Sequence, residues 1–136
     1  MHVRAAAVLL TLLLSGCLWR GYARVLEIHL DVLVSMAAKM CALTRAPAPA
    51  SEAMGEFVYP GKRAREAAAQ FSSRASSDSL VGFSRVVDRY DDLVRDFDRS
   101  RADPSVWQQS GTRVCEESDA IASAAGAVRG ALADGR

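Results

Sequence analysis

The chain contains few of the residues on which enzyme active sites and metal centres depend. Its 136 residues include two histidines and three cysteines, and only 7% are aromatic. It has no glycine-rich phosphate loop, no zinc-type spacing of cysteine and histidine, and no internal repeat. Its serine, histidine and aspartate residues show no order typical of a catalytic triad. These absences predict a protein that is not an enzyme and that carries no cofactor.

An excess of charge of one sign is also missing. Lysine and arginine number 17, aspartate and glutamate number 16, and the formal net charge is +1. A nucleic-acid-binding domain needs a basic surface to neutralise phosphates. The sequence therefore predicts no nucleic-acid partner, and its abundant alanine favours helices over sheets.

No apolar run is long enough to cross a bilayer. The run over residues 5–14 has about ten residues, whereas a spanning helix needs about 20. His2 and Arg4 make the preceding residues weakly basic, which together with this length is typical of a secretory signal peptide. The run ends in Leu14, Ser15, Gly16 and Cys17.

These four residues resemble the lipobox of bacterial lipoproteins, which consists of leucine, two small residues and cysteine. The resemblance implies cleavage before Cys17 and transfer of a diacylglyceryl group to its thiol. It divides the chain into a signal peptide (1–16), a lipid-anchored linker (17–21) and a helical domain (22–133). In the alternative, the segment is an ordinary secretory signal or an uncleaved anchor, and Cys17 is incidental.

The same resemblance implies a place in the bacterial cell envelope, because two or more acyl chains hold a protein durably at a membrane. Leu18, which is not acidic, indicates the periplasmic face of the outer membrane by analogy with enterobacterial lipoproteins. Trp19, Arg20 and Tyr22 suit the lipid headgroups, where amphipathic rings and cations are favoured. Alternatively, Tyr22 begins the core.

Hydrophobic spacing predicts four helices. The first is expected over residues 19–44 and ends before Pro47 and Pro49. The second follows an N-cap at Ser51 and is expected to kink or turn near Tyr59, because Pro60 and Gly61 interrupt it. The apolar positions of these two helices are Tyr22, Leu26, His29, Leu33, Met36, Met40 and Leu43, then Phe57, Gly61, Ala64, Ala68, Phe71 and Ala75.

The third helix is clearest from Leu80, and the fourth begins at the N-cap Asp103 followed by Pro104. Their apolar positions are Leu80, Phe83, Val87, Tyr90, Val94 and Phe97, then Trp107, Gly111, Val114, Ser118, Ile121, Ala125, Val128 and Leu132. Four helices with short connections predict an all-α fold, an antiparallel up-down-up-down four-helix bundle.

Cys41 and Cys115 form an even pair, which in an oxidising compartment favours a disulfide. With the first and fourth helices aligned at the lipid-anchored end, the two cysteines differ in height by about 4.5 Å. They lie on matching flanks of the apolar stripes, within reach of each other. Alignment at the opposite end would separate them by more than about 10 Å and leave two packed thiols instead.

His29, Met36 and Met40 lie along one face of the first helix. Histidine and methionine can hold haem iron, and methionine sulfur suits monovalent copper. Axial haem ligands must approach from opposite sides, yet the predicted fourth helix has no histidine or methionine. A core histidine bonded to a neighbouring helix, beside two core methionines, is the favoured interpretation.

Two groups of charged residues invite a functional interpretation. Helix three carries Asp88, Asp91, Asp92, Asp96 and Asp98, interleaved with arginines, which is typical of a solvated face. Lys62, Arg63 and Arg65 form the densest basic group, which could meet anionic lipid or cell-wall polymer but is also typical of a solvated helix start.

The sequence thus predicts a membrane-anchored, non-enzymatic envelope lipoprotein that binds or supports another envelope component, a protein or the cell wall. The alternative from a different class is a metal- or haem-binding helical bundle that uses His29, Met36 and Met40. The oligomeric state is left open by the sequence.

Overall fold

The computed structural model describes the backbone of residues 2–72 and 77–134 and the side chains of residues 21–72 and 78–134. Most of these residues are helical, and they contain no strand. The elements are α1 (His2–Leu43), a 3-10 turn (Ser51–Met54), α2 (Gly55–Phe71), α3 (Ser77–Ala102), α4 (Pro104–Gln109) and α5 (Gly111–Asp134). The all-α class predicted from the sequence is confirmed.

Helix α1 is longer than the predicted first helix, which was expected to begin at residue 19. It runs for 42 residues and includes the segments 2–16 and 17–21. Its residues are rich in alanine and leucine, which are strong helix formers, and it contains no proline. Nothing in the local sequence therefore ends the helix between the apolar N-terminal run and the packed domain.

The buried stripe of α1 is rotated slightly from the predicted one. The fully or nearly fully buried residues are Tyr22, Ala23, Leu26, Leu30, Leu33, Ala37 and Met40. His29, Met36 and Leu43, which were assigned to the stripe, lie on its flank and are only partly buried. The placement of His29 in the core was therefore wrong, because Ala23, Leu30 and Ala37 supply the central positions instead.

Helix α2 continues through Pro60, so a turn near Tyr59, one of the two expected outcomes, is wrong. Pro60 lacks only the N–H that would bond to the carbonyl of Glu56. Glu56 is exposed, so water can hydrogen-bond to that carbonyl. Phe57, Gly61 and Ala64 are buried as predicted, whereas Ala75 lies outside the described residues.

The predicted fourth helix is divided into α4 and α5. Asp103 caps α4 as expected, accepting hydrogen bonds from the backbone N–H groups of Ser105 and Val106. At the other end, the backbone N–H and hydroxyl of Ser110 both donate to the carbonyl of Trp107, which ends the helix locally. The Ser-Gly dipeptide at 110–111 is a turn signal that the hydrophobic spacing concealed.

The four long helices pack around one core. Helix α1 packs against α2 and α5, and α3 packs against the same two helices. The largest fully buried side chains of this core include Phe57 of α2, Tyr90 and Phe97 of α3, and Ile121 of α5. The ring of Tyr22 contacts the ring of Phe71 at one end of the packed helices, and Trp107 contacts Phe97 at the other. We call these the Tyr22 end and the Trp107 end.

Candidate functional site

Cys17, the predicted lipidation site, lies in α1, and its side chain is outside the described side chains. Among the described side chains, the first buried one is that of Tyr22, five positions later, which is 3% exposed. Tyr22 lies beside Phe71, the last residue of α2, and Asp31 pairs with Arg129, close to the end of α5. Residues 2–16 therefore continue α1 beyond the ends of α2 and α5.

A disulfide joins Cys41 of α1 to Cys115 of α5, as the sequence predicts. Their Cα atoms are 4.7 Å apart, and 74 positions separate them in the chain. The two helices approach closely next to the bond, where a Cβ atom on Gly111 would lie 3.2 Å from Thr44 Oγ1. The two cysteines meet as expected for α1 and α5 aligned at the end that was predicted to carry the anchor.

His29 is partly buried and lies near Arg63 of α2. Burial lowers the pKa of the imidazole from its ordinary value, and the positive charge of Arg63 lowers it further. Both effects favour the neutral ring near neutral pH. The hydrogen bond to a neighbouring helix that was expected for a core histidine is not found among the described side chains.

Met36 is partly buried and packs against the core, and Met40 is fully buried. His29 and Met40 are separated by about 16 Å along the axis of a straight helix, which is too far for both to bind one ion. Within the described residues, no group of three or more histidine, cysteine, aspartate or glutamate side chains is arranged to hold a metal ion. The structure therefore does not bring His29, Met36 and Met40 together as one ligand set.

The carboxylates of α3 form ion pairs, and several of these pairs reach neighbouring helices. Arg65 of α2 binds both Asp88 and Asp91, with nitrogen–oxygen distances of 2.7 Å. On the opposite flank, Arg113 of α5 binds Asp96 at 2.7 Å. Asp92 pairs within α3 with Arg95. Asp98 pairs in the same way with Arg101.

Sequence reasoning interpreted these aspartates as a solvated face and did not identify their partners on α2 and α5. The missing information is the rotation of each helix about its axis, which places Arg65 and Arg113 on the flanks that face α3. Asp88, Asp91 and Asp96 thus link α3 to its neighbours through their side chains. Each of these ion pairs is at least partly exposed and contributes about 0–1 kcal/mol.

Two of the three cations in the basic group of Lys62, Arg63 and Arg65 are held by carboxylates. Arg65 is held by Asp88 and Asp91, and these hydrogen bonds raise the pKa of its guanidinium. Arg63 pairs with Glu66 on its own helix and lies over the ring of Tyr59. Carboxylates therefore offset much of the positive charge of this group.

Shallow grooves lie between the helices. One of about 310 Å³ lies between α2 and α3 and is lined by Ala68, Ala69, Leu80 and Val87, with Arg65 at its edge. Another of about 400 Å³, between α3 and α5, is lined by the paired side chains Arg89, Glu117, Asp96 and Arg113. The charged groups at both grooves are already engaged in ion pairs.

Among the described residues, no helix combines the length and the apolar character needed to span a membrane. Comparison with known proteins found no family model, no curated protein and no solved structure that matches this chain.

Proposed function

We propose that this protein is a non-enzymatic bacterial envelope lipoprotein, anchored through acylated Cys17, whose helical domain binds or supports another envelope component. The observation that carries the proposal is the sequence Leu14–Cys17 at the end of an apolar run of signal-peptide length.

Removal of residues 1–16 is compatible with the packing. The described core begins at Tyr22, so cleavage before Cys17 leaves every described core residue in place. From Cys17 onward, α1 has nearly the length of α3, which has 26 residues. The chain therefore still supplies a helix about as long as α3 once the leader is gone.

The disulfide supports an envelope location. Disulfides form and persist in oxidising compartments such as the bacterial periplasm, and they are rare in the cytosol. The bond joins α1, which carries the anchor, to the C-terminal helix α5. It thus links the anchored helix covalently to the last helix of the domain.

The finer architecture that accompanies this proposal is an antiparallel up-down-up-down four-helix bundle of α1, α2, α3 and α5. Pairing of Tyr22 with Phe71 and of Lys39 with Glu56 supports antiparallel α1 and α2. Pairing of α1 with α5 at Asp31 and Arg129 supports the same relation for the outer pair. Helix α4 is then a cap at the Trp107 end.

Leu18 after the acylated residue is the basis for assigning the periplasmic face of the outer membrane.

The partner is proposed to be another envelope protein or the cell wall. Chemical crosslinking of intact envelopes followed by recovery of the protein is expected to return such a component consistently. Repeated recovery of the protein without any protein, lipid or glycan partner would contradict the binding role.

Intact-mass measurement of membrane-extracted protein tests the anchor. The expected product lacks residues 1–16 and carries a diacylglyceryl group on its new first residue, Cys17. A Cys17→Ala variant is expected to lose this modification and to leave the membrane fraction, because no acyl chain then holds it. A Cys115→Ala variant is the matched control and is expected to stay acylated.

The contradicting result is equally specific. A wild-type mass that corresponds to the full chain, with residues 1–16 present and no acyl group, would show that the N-terminal segment is not a lipoprotein signal.

A further inference from the structure

The lipid-attachment position is joined to the packed domain by helix, without an intervening loop. Residues 17–21 belong to α1, and the same helix supplies Tyr22, Leu26 and Leu30 to the core. The rise from Cys17 to Tyr22 is about 7.5 Å in a helix, whereas five extended residues could span about 17 Å. The tether is therefore short, and its direction follows that of the domain.

The two ends of the packed helices differ in their relation to this tether. The Tyr22 end includes the C-terminus of α2, the N-terminal part of α3 and the C-terminus of α5, with Val81 46% exposed. The Trp107 end includes Thr44 and α4, with Val106 40% exposed. About 39 Å of helix separates Cys17 from Leu43, so the ends are at very different distances from the attachment position.

The sides of the packed helices that carry ion pairs are poorly suited to lie on lipid. Ion pairs cross between helices on several faces, including Arg65 with Asp88, Arg113 with Asp96 and Arg89 with Glu117. Pressing these groups into a bilayer would remove their water, which is costly for charged groups. Contact through the Tyr22 end leaves them hydrated.

We propose that residues 17–22 of α1 form a short, rigid helical spacer. This spacer keeps the Tyr22 end close to the lipid headgroups and presents the Trp107 end to the periplasm. This inference rests on the proposed acylation of Cys17. It assigns the partner-binding role to surfaces remote from the membrane, those near α4 and the first residues of α2.

Fluorescence quenching in vesicles tests this orientation. The mature acylated protein, in a Trp19→Phe background, is reconstituted into phosphatidylcholine–phosphatidylglycerol vesicles with a nitroxide quencher on the headgroup. Val81→Trp and Val106→Trp add matched reporters at the two ends. The quencher is expected to reduce the fluorescence that Val81→Trp contributes beyond that of the background protein. The fluorescence that Val106→Trp contributes is expected to stay almost unchanged.

The tether itself is tested by inserting Gly-Ser-Gly-Ser-Gly between Arg20 and Gly21, which replaces a rigid connection with a flexible one. This insertion is expected to reduce the difference in quenching between the two reporters. An Ala-Glu-Ala-Ala-Lys insertion of the same length favours helix and is expected to preserve the difference.

The failures are distinguishable because the mass of each sample is measured first. If the protein is acylated but its two reporters are quenched equally, the rigid spacer is overturned and the anchor stands. The same holds if the difference in quenching survives the flexible insertion. A measured mass without an acyl group would overturn the proposed anchor and, with it, the rigid spacer.

Discussion

His29 shows that a small rotation of a helix about its axis is enough to change the role of a residue. The spacing that placed it in the core is correct for its neighbours Leu26 and Leu33, which are fully buried. The ring itself lies on the flank that faces α2, where Arg63 is close enough to affect its charge. His29 is therefore a titrating group at a helix interface.

Lowering the pH is expected to destabilise the folded protein through His29. Its folded pKa lies below the unfolded value of 6.5, so the unfolded state binds the proton more readily. The stability that the neutral ring contributes is complete above pH 6.5 and is lost as the pH falls from that value through the folded pKa. Thermal unfolding between pH 7.5 and 5.5 measures the effect.

His29→Gln is the comparison variant, because it keeps a polar side chain and does not titrate. Its melting temperature is expected to fall less than that of the wild type over this pH range. Parallel curves for the two proteins would show that the protonation of His29 is not linked to folding.

Between elements, the contact of α2 with α3 depends on a glycine. A Cβ atom on Gly61 would overlap Asp91 Oδ1 and lie 3.4 Å from the ring of Tyr90. Tyr90 is fully buried, and its hydroxyl donates to the carbonyl of Phe57 at 2.7 Å. Asp91 is held by Arg65, so neither neighbour can move without breaking a bond.

Gly61→Ala is expected to lower the free energy of unfolding by about 1–2 kcal/mol, because the added methyl group overpacks the contact. Gly126→Ala is the matched control, since its Cβ would meet nothing within 4 Å. That variant is expected to gain about 0.5–1 kcal/mol from improved helix propensity. Urea unfolding measures both.

An Asp91→Ala background tests whether contact with Asp91 is the reason that Gly61→Ala destabilises the protein. The cost of Gly61→Ala is expected to shrink there, since the overlapping carboxylate is gone. Equal costs in the two backgrounds would place the strain elsewhere.

At the scale of the whole molecule, the disulfide closes the chain between its first and last long helices. Cys41 and Cys115 are 74 positions apart, and the loop that they close contains all of α2, α3 and α4. Closing so long a loop reduces the conformational entropy of the unfolded chain considerably. The bond therefore acts mainly on the unfolded state.

Replacing both cysteines with alanine is expected to lower the free energy of unfolding by about 4 kcal/mol on the chain-entropy account. Urea unfolding in a Cys17→Ala background measures this loss without the acyl group. A thiol reductant added to the Cys17→Ala parent is expected to have a similar effect. An unchanged unfolding midpoint in both experiments would contradict this role.

Much of the fold was predictable because hydrophobic spacing reports which face of a helix is buried. The apolar positions of α5, including Val114, Ile121 and Leu132, are buried as predicted. The same spacing cannot reveal where a helix is divided, as at Ser110, since the apolar period continues across the break. Nor can it reveal pairs such as Arg65 with Asp91, because these depend on the rotation of two helices at once.

The sequence by itself determined the helical class, the positions of most core residues and the apolar run over residues 5–14, because each depends on local composition and period. Only the tertiary structure decided the flank position of His29, the division between α4 and α5, and the arginine partners of the α3 carboxylates. These features depend on how helices far apart in the chain rotate and slide against each other, and no short stretch of sequence contains that information.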